Sequence, residues 1–257
     1  MSDLRQIDQN FALHATSIPG ETAGMSITSS NGLFIVDSGL SCDTFNIIHI
    51  AAHKQLGPDT IEQAVNSFRE KDLDFCLWVN QEELSRSVRA QLTACGLAVQ
   101  AEEIGMVLDL EEFTSITEPR HDNIREVDSA QALETYAQTL AANWSPPDPN
   151  VLAYFEHTRE QYLDENQRSR LYLYYHEDQP AATMELFATD QEVIGIYGLS
   201  TLNQFRGHGI GTALMTHGIK QAKVQGYKKL VLQATEAGIG IYRKLGFSEV
   251  TTYFEFA

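Results

Sequence analysis

The run Gln204-Phe205-Arg206-Gly207-His208-Gly209-Ile210-Gly211-Thr212-Ala213-Leu214 joins a strand-like segment to a helix-like one through three alternate glycines. Before it, Val193-Ile194-Gly195-Ile196-Tyr197-Gly198-Leu199 is largely apolar, as a buried strand is. After it, Ile210, Leu214, Gly218 and Ala222 recur every four residues, as one face of a helix does, and Gly226 stands where a helix stop belongs. The first turn of a helix has backbone N–H groups without intrahelical partners, and glycines lacking Cβ let the chain aim several of them at one anion. The run therefore predicts a pyrophosphate cradle, with a plain glycine-rich connector as the alternative.

Spacing separates this cradle from two others. A Rossmann loop is G-x-G-x-x-G with an acidic residue about 20 positions on. Here the pattern is G-x-G-x-G, and that distance brings Lys223, Lys228 and Lys229 instead. A P-loop ends in Gly-Lys-Ser/Thr, whereas Gly211 is followed by Thr212 and Ala213, so no lysine reaches toward a β/γ-phosphate. Nucleoside triphosphate chemistry is disfavoured. Charge points the same way as the glycines. The chain carries 35 acidic and 18 basic side chains, a net of -17, yet from Arg206 to Lys244 seven cations face Glu236 alone, a local +6. Such an island in an acidic protein would draw in a multiply phosphorylated ligand, although the same lysines also suit a solvated helix face.

The spacing Arg206-x-x-Gly209-x-Gly211 resembles the acyl-CoA loop of the GCN5-related N-acetyltransferases: Gln or Arg, two residues, Gly, one residue, Gly or Ala. A second motif follows the strand-like Lys229 to Thr235. There Tyr242-Arg243-Lys244-Leu245-Gly246-Phe247 resembles the family's short tyrosine-bearing helix and closing Leu-Gly-Phe. The resemblance covers residues 121 to 257. It implies an α/β fold with a mixed central sheet flanked by helices, and acetyl-CoA as co-substrate with no metal. Tyr197, Gly198, Leu199, Ser200 and Thr201 would pair with the pantetheine amides and polarise the thioester carbonyl through a backbone N–H. Arg206, Gly207, His208, Gly209, Ile210, Gly211 and Thr212 would wrap the pyrophosphate. Tyr242 would protonate the departing thiolate, a role suited to a phenol of pKa about 10; a buried tyrosine packed beside Phe247 is the alternative.

The base is less visible. Val193 stands where histone-modifying relatives carry a glutamate, which counts against a histone-type substrate. Glu192 is one residue off and, on a strand, faces the opposite side. Glu185, within Met184-Glu185-Leu186 on the preceding strand, is the candidate, against a solvated surface carboxylate. The family's acceptor site is lined by the loop between the first two helices and by the last strands. Here those hold Trp144, Pro146, Pro147, Tyr154 and Phe155, and Tyr253, Phe254 and Phe256. The expected activity is acetyl transfer from acetyl-CoA to the primary amine of a small molecule or amino acid. A CoA-binding or scaffold protein without turnover is the alternative.

With 257 residues the chain exceeds the usual single domain. The break is expected in Thr117-Glu118-Pro119-Arg120-His121-Asp122-Asn123, giving domains 1–118 and 119–257. In the second, Ile124 to Val127 reads as a strand, and Asp128-Ser129 caps a helix through Leu133, Tyr136 and Leu140. Val151 to Leu163 reads as a second helix, and a hairpin turns around Glu177-Asp178-Gln179-Pro180. In the first, Leu33–Val36, Phe45–Ile50, Asp74–Val79 and Glu103–Leu110 read as strands, and Thr60–Phe68 and Glu82–Cys95 as helices. That order resembles the non-catalytic half of tandem acetyltransferases, a degenerate copy without the glycine loop; an unrelated cap or dimerisation domain is the alternative. No spacing of His14, His49, His53 and Asp37 supports a metal site, and Cys42, Cys76 and Cys95 form neither a disulfide framework nor a C-x-x-C. No apolar run approaches the roughly 20 residues that span a bilayer, and the first residues lack a signal peptide's pattern. A cytoplasmic monomer or homodimer, binding neither nucleic acid nor membrane, is expected.

Overall fold

The structure is a computed structural model that describes residues 1–30, 32–51, 56–113 and 123–257. The expected domain break at 118/119 and His53 lie outside the described residues. The chain forms two compact units, Met1–Met106 with Gln233–Gly240 and Glu249–Ala257, and Val107–Leu232 with Ile241–Ser248. Among the described residues no helix is long and apolar enough to cross a membrane.

The first unit opens with a helix that sequence periodicity did not predict, α1 (Asp3–Gly20). Its apolar stripe of Ile7, Phe11, Ala15 and Ile18 is thin and set among Asp, Gln and Asn, which hides it from a hydropathy reading. Strands β1 (Ser26–Ser30), β2 (Leu33–Asp37) and β3 (Ile47–Ile50) follow, then α2 (Thr60–Arg69), β4 (Cys76–Asn80), α3 (Arg86–Ala94) and β5 (Val99–Asp109). β1, β2 and β3 pair antiparallel in turn, and β3 runs parallel to β4. The next neighbour of β4 comes from the far end of the chain: β11 (Ser248–Phe256) lies antiparallel to it, with Asn80 opposite Tyr253 and Leu77 opposite Phe256.

Period-two alternation sorts these strands between two layers. Ile48, Ile50, Leu77, Val79 and Phe256 meet Ile61, Val65 and Phe68 of α2 and Val88 and Leu92 of α3. Each fully buried side chain of this size contributes about 1.5–3 kcal/mol. His49, Trp78 and Tyr253 point to the other layer, where the Phe11 ring packs against all three at 5.0–6.3 Å.

The second unit holds β6 (Ile124–Glu126), α4 (Ala130–Ala141), α5 (Pro149–His157), α6 (Arg159–Tyr162), β7 (Ser169–His176), β8 (Gln179–Ala188) and β9 (Val193–Thr201). After these come α7 (Ile210–Val224), β10 (Lys229–Ala234) and α8 (Ile239–Lys244). β6 to β9 pair antiparallel in sequence, and β9 is parallel to β10. Ser129 caps α4 by accepting from Ala132 N, as its sequence predicts. The helix expected over Val151–Leu163 is instead broken at Thr158 into α5 and α6. The β7–β8 hairpin turns through Glu177 and Asp178, both at positive φ (49° and 63°), the handedness that matches strand twist. On β8, Met184 and Leu186 meet Gly218 of α7, so Thr183, Glu185 and Phe187 face the opposite layer of α4 to α6.

Candidate functional site

β9 outruns its parallel partner. Its ladder with β10 holds Val193, Ile194 and Gly195 opposite Lys229, Leu230 and Val231, and six further residues of β9 follow, to Thr201. Over that stretch its register with β8 shifts: Glu185 opposes Tyr197 and Thr183 opposes Ser200, so three steps on β9 face two on β8. The extra residue is a bulge at Gly198, whose φ of +55° is open to glycine at little cost. Because of the bulge, Tyr197 and Ser200 share a face although an unbroken strand would set them on opposite ones. The one sign of it in the sequence is glycine inside a strand pattern, shared between Gly195 and Gly198.

The glycine loop leaves β9 through a short 3₁₀ turn (Asn203–Phe205). Gly207 and Gly209 have φ of +82° and +76°, and a Cβ on either would meet nothing within 4 Å, so the space beside both is open. Gly209 is the N-cap of α7 and no side chain caps the helix, which leaves the first-turn N–H groups of Ile210, Gly211 and Thr212 to an outside acceptor. Arg206 Nε donates to Thr201 O at 2.9 Å, folding the guanidinium back along the end of β9. His208 Nδ1 lies 3.1 Å from the carbonyls of both Phe205 and Arg206, so it carries the proton and Nε2 is the nitrogen left to face out. The residues present thus fit a diphosphate-bearing ligand.

Not all of the cationic island is available to such a ligand. Lys228 Nζ pairs with Glu192 Oε1 at 2.5 Å, and Lys223 Nζ donates to Phe113 O at 2.7 Å. Those two hold the surface of their own unit. A Cβ on Gly211 would touch Ile241 Cδ1 at 3.4 Å, so α8, which carries Tyr242, adjoins the start of α7. Tyr242 is only 7% exposed and its ring meets Phe247 edge-on at 5.8 Å.

Glu185 is buried rather than solvated, at 5% exposure, and accepts from Ser169 Oγ at 2.5 Å. Four tyrosines gather around it: Tyr136, Tyr154, Tyr162 and Tyr197. Burial, and after it the Glu185 carboxylate, raises all four phenols above the ordinary tyrosine range. They stay neutral hydroxyls at any physiological pH. Of the aromatic residues expected to line an acceptor site, Trp144 is exposed, while Tyr154 and Phe155 are on the buried side of α5. Tyr253, Phe254 and Phe256 pack instead in the first unit, where β11 ends. Sequence reasoning missed Tyr136 and Thr183, whose helix and strand positions read as ordinary core.

Residues 132–247 match the family model described as Acetyltransferase (GNAT) family. No curated protein matches the chain in sequence. Among solved structures, the GCN5-related N-acetyltransferase from Kribbella flavida is similar with a TM-score of 0.68 at 16% identity, over 97% of this chain and 94% of that one. A functionally unknown conserved protein from Staphylococcus epidermidis ATCC 12228 gives 0.67 at 14%, over 92% and 95%. A tandem GNAT protein from the clavulanic acid biosynthesis pathway gives 0.56 at 12%, over 91% and 83%. At these identities the likeness is one of fold, and it extends through both units. The loop and the bulged strand lie within the same residues, so segment 132–247 is where the chain matches the GNAT acetyltransferase family.

Proposed function

We propose that the protein transfers an acetyl group from acetyl-CoA to the primary amine of a small molecule or amino acid. One observation supports this: the bulged end of β9 leads into an open glycine loop and the uncapped start of α7, beside which lies Ile241 of the helix that bears Tyr242. The N–H groups of Gly207 to Thr212 and the Arg206 side chain hold the diphosphate. Residues Leu199, Ser200 and Thr201 offer strand-edge groups to the pantetheine amides. Bound there, acetyl-CoA supplies an activated thioester. The amine nitrogen forms a bond to the carbonyl carbon as the carbon–sulfur bond breaks. Tyr242 gives its hydroxyl proton to the sulfur, and the proton lost by the amine passes to Glu185. A backbone N–H of β9 stabilises the negative charge that develops on the carbonyl oxygen. The first unit is proposed as a copy of the fold without the glycine loop, taking no part in the chemistry.

The test is thermal unfolding with and without acetyl-CoA, run beside CoA release over a panel of primary amines, for wild type and Arg206→Ala. A ligand at 100 times its dissociation constant stabilises by about 2.7 kcal/mol, a shift of a few degrees. Stabilisation with turnover on some amine, both weakened in Arg206→Ala, is expected. No response to acetyl-CoA would sink the proposal, and stabilisation without release over the whole panel would make the protein a CoA binder.

A further inference from the structure

A chain of hydrogen bonds with one direction runs from the end of α4 to the bulge of β9. Asn143 Nδ2 donates to Ser200 Oγ at 2.9 Å, and also to the carbonyls of Leu140 and Thr139 at 3.1 and 3.2 Å. Thr183 Oγ1 donates to Gly198 O at 2.8 Å, so the Ser200 hydroxyl, 2.8 Å from Thr183 Oγ1, must be the donor between those two. Tyr136 also bonds Thr183, and a Cβ on Gly198 would come within 2.9 Å of the Tyr136 hydroxyl. The protons of this chain therefore converge on a single carbonyl, that of Gly198.

The far end of the chain carries a cost. Asn143 Oδ1 is buried and has no hydrogen-bond partner among the described residues. Turning the amide over would bring Oδ1 against the carbonyls of Leu140 and Thr139, so both hydrogens stay where they are and the oxygen stays orphaned. An unpaired buried acceptor is unfavourable, and an alanine here would avoid it. What the asparagine supplies in return is the grip on Ser200.

The consequence lies in peptide geometry. The Gly198 carbonyl and the Leu199 N–H belong to one planar trans peptide and point in opposite directions. Holding the carbonyl toward Thr183 on β8 therefore turns the Leu199 N–H away from β8, toward the edge of β9 that β10 leaves unpaired beyond Gly195. We propose that Asn143, Ser200 and Thr183 are positioning residues that lock this peptide, so that the Leu199 N–H polarises the thioester carbonyl. The inference rests on the acetyl-CoA reading above and names the donor and its support.

Infrared difference spectra of acetyl-CoA labelled with ¹³C at the thioester carbonyl test it without knowledge of the amine. Bound to wild type, the carbonyl stretch should move to lower frequency than in free acetyl-CoA. Thr183→Val keeps the side chain's shape without its hydroxyl, and should lose most of that shift while still binding acetyl-CoA through the glycine loop. Thr183→Ser should keep the shift, and Asn143→Ala should lose it. An unchanged shift in both Thr183→Val and Asn143→Ala, or no shift in wild type that binds acetyl-CoA, would overturn the proposal. Failure of wild type to bind acetyl-CoA at all would remove the underlying function instead, and this inference with it.

Discussion

Each unit contains a strand, a helix and a second strand parallel to the first: β3, α2 and β4 in one, β9, α7 and β10 in the other. β3 stops at Ile50, one residue past the pairing of His49 with Trp78, whereas β9 continues six residues beyond its last pair with β10. The buried polar residue on each strand is also treated differently. His49 is enclosed by Phe11 and Phe34 with its Nε2 3.0 Å from Asp8 Oδ1, an oxygen that Asn80 and Tyr253 also approach at 3.4 Å. In the second unit Thr183 bonds Gly198 O and Ser200 beside the register shift, and the β9–β10 ladder ends at Gly195. One arrangement closes its polar residues into a core, and the other sets them beside the edge proposed to bind acetyl-CoA. The difference lies in strand length and one inserted residue more than in the order of elements.

The largest effect that would sharpen this contrast is chemical. Tyr242→Phe should lower kcat by about 10²–10³-fold with acetyl-CoA affinity and thermal stability held, since only the proton donor is removed. A fall of less than tenfold, measured by CoA release, would return Tyr242 to packing alone. Next in size, Asp8→Ala leaves His49, Asn80 and Tyr253 facing an empty place in the first unit and should cost about 3 kcal/mol of stability. Its acetyl-CoA affinity per folded molecule should match wild type, and calorimetric titration would expose any coupling that breaks the division of labour.

Backbone conformation gives a paired test of smaller size. Gly209→Ala and Gly226→Ala both place a Cβ at positive φ (+76° and +86°) with nothing within 4 Å, so each should cost about 1–2 kcal/mol. Only Gly209→Ala, at the mouth of α7, should also weaken acetyl-CoA binding. Equal affinity in the two variants would argue against the glycine loop as the cradle.

A pH test addresses the first unit alone. Burial, and after it the Glu255 carboxylate, raises Glu103 to about 8. An acid raised in the folded state contributes stability that is complete below its unfolded value, near 4.5, and is lost as pH rises through about 8. Wild type should therefore lose melting temperature between pH 5 and 9 more steeply than Glu103→Gln, and parallel curves would remove Glu103 as the cause. The smallest effect is expected at the hairpin, where replacing Glu177-Asp178 by Asn-Gly suits the two positive φ angles and should add about 0.5 kcal/mol.

What could be read from the sequence was whatever neighbouring residues decide. The glycine loop, the α7 stripe of Ile210, Leu214, Gly218 and Ala222, the Ser129 cap and the β7–β8 turn each depend on a few adjacent positions, and the structure has them there. α1 was not legible because Leu4, Ala12 and Leu13 fall outside the buried stripe of Ile7, Phe11, Ala15 and Ile18 and blur its period. The resemblance implied last strands holding Tyr253, Phe254 and Phe256 without naming their partner, since pairing depends on the register of a distant edge. At the site, Glu185 could be placed on a face by counting, but its burial among four tyrosines depends on α4 to α6 closing over β8. Asn143 looked like any polar residue after a helix, and its role appears only when Ser200 is brought to it by the bulge.

Pairing of β11 with β4 sets residue 80 against residue 253, a separation of 173 positions. During synthesis the first unit therefore cannot complete its sheet when its own first hundred residues emerge; β4 waits with one edge open until Phe256 has cleared the ribosome. At about 5–20 residues per second that wait lasts on the order of ten seconds, during which the edge of β4 lacks its native partner. Folding the amino-terminal part first, the usual course for a two-part chain, is not available here, and cutting the gene in two at the middle would yield a first half with a missing strand.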